Sequence, residues 1–201
     1  YTAYATLIDG VETRWMDGSK DVQTLTWTIA PNDNPLTLVP AFEGTITYDG
    51  SAKTPAYTVK SGEKILTAGT DYELSYSNNT NAGTATVTAT GLDNYAGATG
   101  SAEFTISKAA ITPTLTMNGW TYGAAASEPT VTGNIGKGDV TYTYYSDASC
   151  TKVIAKPTDA GTYWVKAAVA ATANYEGAAT RAVEFTIAKA AVPTGLAGAV
   201  S

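Results

Sequence analysis

The sequence contains no histidine and a single cysteine, Cys150. Without histidine, Ser-His-Asp catalysis, Cys-His catalysis and imidazole-based metal sites are excluded. A lone cysteine can form neither an internal disulfide nor a zinc cluster, so we interpret Cys150 as a small residue of a strand or loop. We therefore expect no catalytic residue, no metal and no cofactor in this chain.

Strong charge and long apolar runs are also missing. The 201 residues include 12 Lys+Arg and 18 Asp+Glu, for a formal net charge of −6. Because an acidic chain repels polyanions, we expect no nucleic acid partner. No apolar run approaches the roughly 20 residues of a membrane-spanning helix, so we expect no membrane insertion. The hydrophobic fraction, 44%, is nevertheless sufficient for a buried core.

An internal repeat is the most informative feature of the sequence. The motif Asn-Tyr-x-Gly at 94–97 returns at 174–177, and Glu-Phe-Thr-Ile at 103–106 returns at 184–187. The other matched segments are 81–84 with 159–162, 46–48 with 120–122, and Pro55 with Pro129. Because the order is kept throughout, the sequence predicts a duplicated module of about 75–80 residues, a size typical of a small domain.

The repeat also predicts the domain boundaries. The second copy carries an insertion between Asp147 and Asp159, which we interpret as a longer hairpin or loop. The chain opens at Tyr1 in a strand-like run and shows no signal peptide, so we interpret it as a fragment of a longer array. The expected parts are the last strands of a truncated preceding module (1–33), module 1 (34–109), module 2 (110–191), and the start of a following module or linker (192–201).

Alternation of apolar and polar residues predicts strands with one buried face. Tyr72, Leu74 and Tyr76 alternate with acidic and small polar residues, and the run at 84–90 alternates threonine with Ala and Val. Turn residues separate these runs, and no stretch has a convincing helical period. Because antiparallel sheets tolerate one solvated face, we predict an all-β fold of tandem immunoglobulin-like antiparallel β-sandwich modules.

The repeated residues resemble a known family. Module 1 carries Tyr48-Asp49-Gly50, Pro55, Asp71-Tyr72, Asn81-Ala82-Gly83-Thr84 and Asn94-Tyr95-x-Gly97. Together they resemble the bacterial YDG/MBG-type immunoglobulin-like repeat domains of surface proteins. Module 2 resembles them more distantly, because Gly123-Ala124 follows Tyr122 in place of Asp-Gly.

The resemblance implies a non-catalytic structural or adhesive repeat segment of a bacterial cell-surface or secreted protein, acting as a stalk or spacer. It implies an extracellular location, at the bacterial surface or in the cell wall, and contacts with neighbouring repeat modules of the same chain. It supplies no catalytic residues, so we expect that the chain is not an enzyme.

A binding module is the alternative function, with a glycan or a host extracellular protein as partner. Aromatic faces stack on sugars, and the alternation places Trp164 on an outer strand face. Trp15, in a polar loop, is the second candidate ligand-binding residue. Packing between modules would equally explain these side chains. Trp120 and Trp27, by contrast, share repeat positions with Ile46 and Phe185, so we predict that both lie in cores.

Three further chemistries remain open from the residues alone. Calcium could bind among Asp17 and Asp21, or Asp147 and Asp159, although turn chemistry explains these residues as well. A paired-carboxylate glycosidase needs no histidine, but no two carboxylates are marked as such a pair. An internal Lys–Asn isopeptide bond could use one of three lysines, Lys53, Lys108 or Lys189.

Overall fold

The computed structural model of the protein describes residues 2–5 and 23–191, and these residues form an all-β structure. Within them, helical structure is limited to one 3-10 turn, Asp93–Tyr95. The strands up to Ser107 are β1 (Thr2–Ala5), β2 (Gln23–Thr26), β3 (Thr37–Pro40), β4 (Ile46–Thr47), β5 (Tyr57–Ser61), β6 (Lys64–Ile65), β7 (Tyr72–Ser77), β8 (Gly83–Gly91) and β9 (Thr99–Ser107). Those that follow are β10 (Thr114–Thr116), β11 (Trp120–Thr121), β12 (Thr130–Thr132), β13 (Val140–Tyr145), β14 (Val153–Ile154), β15 (Gly161–Val169), β16 (Ala178–Ala179) and β17 (Val183–Ala188).

The alternating runs have the burial that the sequence predicts. In β8, Ala85, Val87 and Ala89 are fully buried, whereas Thr84 and Thr90 are exposed. The same pattern holds in β9 and β17, where the Phe and Ile of each strand are buried. Threonine on the wet face suits a pleated strand because its branched side chain packs well there and its hydroxyl stays in water.

The first half of the chain has two sheets and one apolar core. The sheets are β3–β5–β6 and β4–β9–β8–β7. Apolar side chains from both sheets meet in one buried cluster: Leu36, Val59, Leu66, Tyr72, Ala89, Tyr95 and Ala98. Burial of such side chains is the main stabilising contribution to a small β domain, at about 25 cal/mol per Å² of apolar surface.

The second half repeats this plan. A two-stranded sheet, β10–β12, accompanies a six-stranded sheet in the order β11–β17–β15–β13–β14, with β16 paired to β15. The core again combines side chains from both sheets: Leu115, Met117, Tyr144, Val165, Ala167, Phe185 and Ile187. Both cores therefore follow the sequence repeat, one lying within 36–98 and the other within 115–187.

The expectation of purely antiparallel sheets is wrong at two places. Ile46 and Thr47 of β4 pair in parallel with Ile106 and Ser107 of β9. Trp120 and Thr121 of β11 pair in parallel with the end of β17 in the same way. Parallel pairing needs a long crossover, and here nearly the whole repeat lies between its paired strands.

The predicted insertion is a hairpin, as expected. Tyr144 and Tyr145 of β13 pair with Ile154 and Val153 of β14, and the chain between them turns through Ser146–Lys152. Cys150 lies in this turn with φ 54° and is a free thiol. The insertion therefore adds an edge strand to the six-stranded sheet.

The N-terminal segment contains the predicted strand pair. β1 and β2 pair antiparallel, with Thr2 opposite Thr26. In the second copy, β15 and β17 pair in the equivalent register, with Trp164 opposite Glu184. The prediction that Trp27 is a core residue is wrong, since 48% of its surface is exposed. Its repeat counterpart Phe185 lies in a six-stranded sheet over a core, whereas among the described residues β2 pairs with β1 alone.

By contacts, the chain divides into two compact units. The first comprises the described residues up to Glu43, Pro55–Ser77 and Thr86–Glu103. The second comprises Gly44–Thr54, Asn78–Ala85 and the described residues from Phe104 onward. Within the part of the chain that is described, no helix is long and apolar enough to cross a membrane.

Candidate functional site

Trp164 lies on the outer face of β15, beside a second aromatic residue. It is half-buried and sits directly opposite Tyr145 on β13 and opposite Glu184 on β17. Its neighbour Val165 is fully buried on the other face of the strand. Lys166, two residues along the same face, places its Nζ 5.8 Å from the centre of the Tyr145 ring.

We call Tyr145, Trp164, Lys166 and Glu184 the outer patch. It combines two aromatic side chains with one cation and one carboxylate on neighbouring strands of one sheet. Aromatic faces can stack on the apolar face of a sugar, and the charged groups can hydrogen bond with its hydroxyls. The second predicted ligand-binding residue, Trp15, lies outside the described residues, so Trp164 is the member of the pair that the structure places.

A second candidate is a cleft of about 610 Å³ at one end of the six-stranded sheet, which we call the end cleft. Its lining includes Trp120, Tyr122, Lys156, Pro157 and Thr158. Tyr122 is 51% exposed there. Sequence reasoning missed this cleft because Lys156 to Thr158 belong to the insertion, which has no counterpart in the first copy.

Two residues that line the end cleft, Trp120 and Lys156, are held in place by packing and by charge. Trp120 is half-buried and stacks on Phe185, with ring centres 5.6 Å apart and an interplanar angle of 16°. Trp120 was predicted to lie in the core, and it packs against the core cluster as a partly buried side chain. Lys156 Nζ lies 2.5 Å from Glu128 Oε1. Aromatic side chains together with a few charged groups are the usual lining of a ligand-binding pocket.

Asp147, one of the calcium candidates, organises the turn of the insertion hairpin. Its carboxylate accepts hydrogen bonds from the backbone N–H of Thr151 and Lys152 and from the hydroxyls of Ser149 and Thr151. These donors, above all the Lys152 N–H, hold the pKa of Asp147 well below its usual range.

The remaining candidates concern metal binding and an isopeptide bond. No group of three or more Cys, Asp or Glu residues that could hold a metal occurs in the ranges that the structure describes. Asp17 and Asp21 lie outside those ranges. Lys53, one candidate for an isopeptide bond, has its Nζ 2.6 Å from Asp49 Oδ2, and its backbone carbonyl accepts a hydrogen bond from Asn79 Nδ2. The ion pair with Lys53 lowers the pKa of Asp49.

Comparison with protein families identifies the second copy of the repeat. Residues 112–191 match the family model described as MBG domain. This part of the chain is similar to MBG domains. The YDG/MBG-type resemblance is thereby confirmed for residues 112–191, and the outer patch and the end cleft both lie within them. The chain has no match among curated proteins or solved structures.

Proposed function

We propose that the chain is a non-catalytic structural or adhesive repeat segment of a bacterial cell-surface or secreted protein, acting as a stalk or spacer. In this proposal, two tandem immunoglobulin-like modules follow each other along the chain outside the cell. Similarity to MBG domains is consistent with a repeat domain of a surface protein. The observation that carries the proposal is the repetition itself: each sequence copy encloses its own apolar core.

The connection between the copies supports a spacer role. Ala109, in the linker before module 2, donates its N–H to the carbonyl of Asn174 and accepts a hydrogen bond from the N–H of Glu176, at 2.9 and 2.8 Å. A linker whose backbone is bonded on both sides of one residue is stiffer than a free Gly/Ser linker. A stiff connection is what a stalk needs to project a distal part of the protein.

Limited digestion with trypsin tests this connection. Cleavage after Lys108 requires the bonded linker to open, so we expect it to be about tenfold slower than cleavage after Lys189, which occupies the same repeat position and is exposed. The cut sites are identified by mass spectrometry of the fragments. Equal rates at the two lysines would argue against a stiff connection and thus against the spacer role.

A binding function is the second candidate, and the outer patch favours it. Trp164 and Tyr145 occupy directly opposed positions on neighbouring strands, so these two aromatic side chains lie side by side on the outer face of the sheet. Tyrosine and tryptophan are enriched among residues that dominate binding energy. In this proposal the partner is a glycan or a host extracellular protein.

Binding to an array of glycans and extracellular-matrix proteins tests the second candidate. If the outer patch binds, Trp164→Ala should abolish a signal that Tyr122→Ala, in the end cleft, leaves intact. The reverse result would place the ligand in the end cleft. A blank array with the unmodified chain would count against a binding function and leave the spacer proposal standing. Thermal unfolding of both variants checks that they remain folded.

A further inference from the structure

One asparagine joins the linker to the end of the first sequence copy. Within the second compact unit, the Asn174 carbonyl accepts from Ala109, and its side-chain Oδ1 accepts from the N–H of Ala82 at 2.9 Å. The Asn174 Nδ2 donates to Asn81 Oδ1 at 3.0 Å. Every polar atom of this side chain therefore has a partner in the turn between β7 and β8.

An aromatic contact lies beside this asparagine. Tyr175, the next residue, packs edge-on against Tyr48, with ring centres 5.4 Å apart and an interplanar angle of 81°. We call Tyr48, Asn81 and Ala82 the receiving surface, because together they receive the Asn-Tyr-x-Gly loop at 174–177. Edge-to-face aromatic pairs add about 0.5–1.5 kcal/mol beyond the area they bury.

The repeat places equivalent residues at the corresponding end of the second copy. Tyr122 corresponds to Tyr48, and Asp159-Ala160 corresponds to Asn81-Ala82. Tyr122 is exposed and lines the end cleft with Thr158, next to Asp159. Among the described residues, no hydrogen bond reaches the Asp159 carboxylate or the Ala160 N–H.

The first copy presents the complementary loop. Asn94 accepts a hydrogen bond on its carbonyl from the N–H of Asn32, at 2.6 Å, in the linker that precedes this copy. Ala109 and Asn174 make the same bond in the second copy. The loop thus holds its own incoming linker in both copies, and the Asn94 side chain is exposed.

We propose that Tyr122, Asp159 and Ala160 form a socket for the Asn-Tyr-x-Gly loop of another copy of this repeat. The incoming Asn accepts the Ala160 N–H through Oδ1 and donates its Nδ2 to the Asp159 carboxylate. Because an ionised carboxylate can only accept hydrogen bonds, the incoming Asn must turn its Nδ2 toward Asp159. This charge-assisted hydrogen bond is stronger than the neutral bond that Asn81 makes with Asn174. This inference rests on the proposed function and supplies its assembly step: repeats join head to tail through one recurring type of contact.

A tandem protein tests the socket. Residues 1–188 of one copy of the chain are followed directly by residues 31–201 of a second, added copy. The linker of the added copy then enters in the register that Lys108-Ala109 has in the single chain. We expect the Ala160 amide of the first copy in the tandem to exchange its hydrogen about tenfold more slowly than the Ala160 amide of the single chain. The matched control is Asn94→Ala in the added copy alone, which should restore the single-chain rate.

The Ala82 amide serves as the internal reference, because its partner Asn174 is present in the single chain, in the tandem and in the tandem with Asn94→Ala. Unchanged exchange at Ala160 in the tandem, with Ala82 protected, would overturn the socket while leaving the spacer proposal in place. If Asn174→Ala in the single chain failed to expose Ala82, the contact from which the socket is inferred would itself be contradicted. Failure of the spacer proposal has its own readout in the digestion at Lys108.

Discussion

The backbone nitrogen of Ala82 lies 2.9 Å from Oδ1 of Asn174, and this hydrogen bond spans 92 positions of the chain. It connects the turn before β8 to the Asn-Tyr-x-Gly loop of the second copy, next to the linker bond of Ala109. The amide of the same side chain reaches equally far, to Asn81. The contact therefore identifies Asn174 as a residue whose loss should be measurable in stability.

Asn174→Ala should destabilise the chain by about 1–2 kcal/mol, because it removes the partner of a part-buried N–H and a second amide bond. Denaturant unfolding measures this loss. Asn94→Ala is the matched control, since it alters the same motif position where the side chain is exposed, and should cost less than about 0.5 kcal/mol. Equal losses of unfolding free energy for the two variants would show that the hydrogen bonds of the Asn174 side chain do not stabilise the chain.

Two tyrosines in the first half should differ in how loss of the hydroxyl changes the stability of the chain. Tyr76 donates its hydroxyl to the Pro55 carbonyl at 2.7 Å, whereas the Tyr57 hydroxyl is buried with no hydrogen-bond partner among the described residues. We expect Tyr76→Phe to lower the free energy of unfolding by about 1 kcal/mol. Tyr57→Phe should be neutral or stabilising, because the buried hydroxyl is costly to desolvate.

The same denaturation experiment on both variants decides this prediction. Each change removes one oxygen and leaves the ring, so packing against neighbours such as Phe42, 5.7 Å from the Tyr57 ring, is preserved. A substantial loss of stability in Tyr57→Phe would mean that its hydroxyl has a hydrogen-bonding role. An unchanged Tyr76→Phe would mean that the Pro55 bond does not stabilise the fold.

Asp147 should make the insertion hairpin sensitive to acid. Backbone and hydroxyl donors depress its folded pKa, so the stabilisation is complete above the unfolded pKa of about 3.9 and is lost as the pH falls through the lower folded pKa. We expect the Thr151 and Lys152 amides to lose protection from hydrogen exchange at pH values below about 4.

Asp147→Asn provides the control for this acid effect. The amide keeps one acceptor oxygen for the turn but does not titrate, so the acid dependence at Thr151 and Lys152 should disappear. Persistence of the same acid dependence in the Asn variant would assign it to another group. Protection that is weak at all pH values in the unmodified chain would contradict the turn as described.

Local patterns predicted much of the fold. The alternation at Ala85, Val87 and Ala89 correctly gave a buried face, because a strand turns every second side chain the same way. The insertion after Asp147 was predicted as a longer hairpin or loop, since the repeat shows where residues were added, and it is a hairpin. The family of the second copy followed from the same repeated residues.

Pairing between distant segments could not be predicted in this way. Periodicity shows that Ile46 and Ile106 lie in strands, but it does not tell which strands pair or in which direction, and the parallel pair was missed. Trp27 matches a core position in sequence, yet its burial depends on a facing sheet and not on its own strand. The end cleft depends on Tyr122 and Thr158 meeting in space, which the spacing between them does not reveal.

In the proposed function, the two sequence copies are separate mechanical modules of a stalk, and single-molecule force spectroscopy tests this most directly. Pulling the full chain from its ends should give two unfolding events for residues 34–109 and 110–191. Each should release about 27–30 nm of chain, at about 0.36 nm per residue. A single event of about 57 nm would show that the copies unfold as one unit and would contradict a stalk of separate modules.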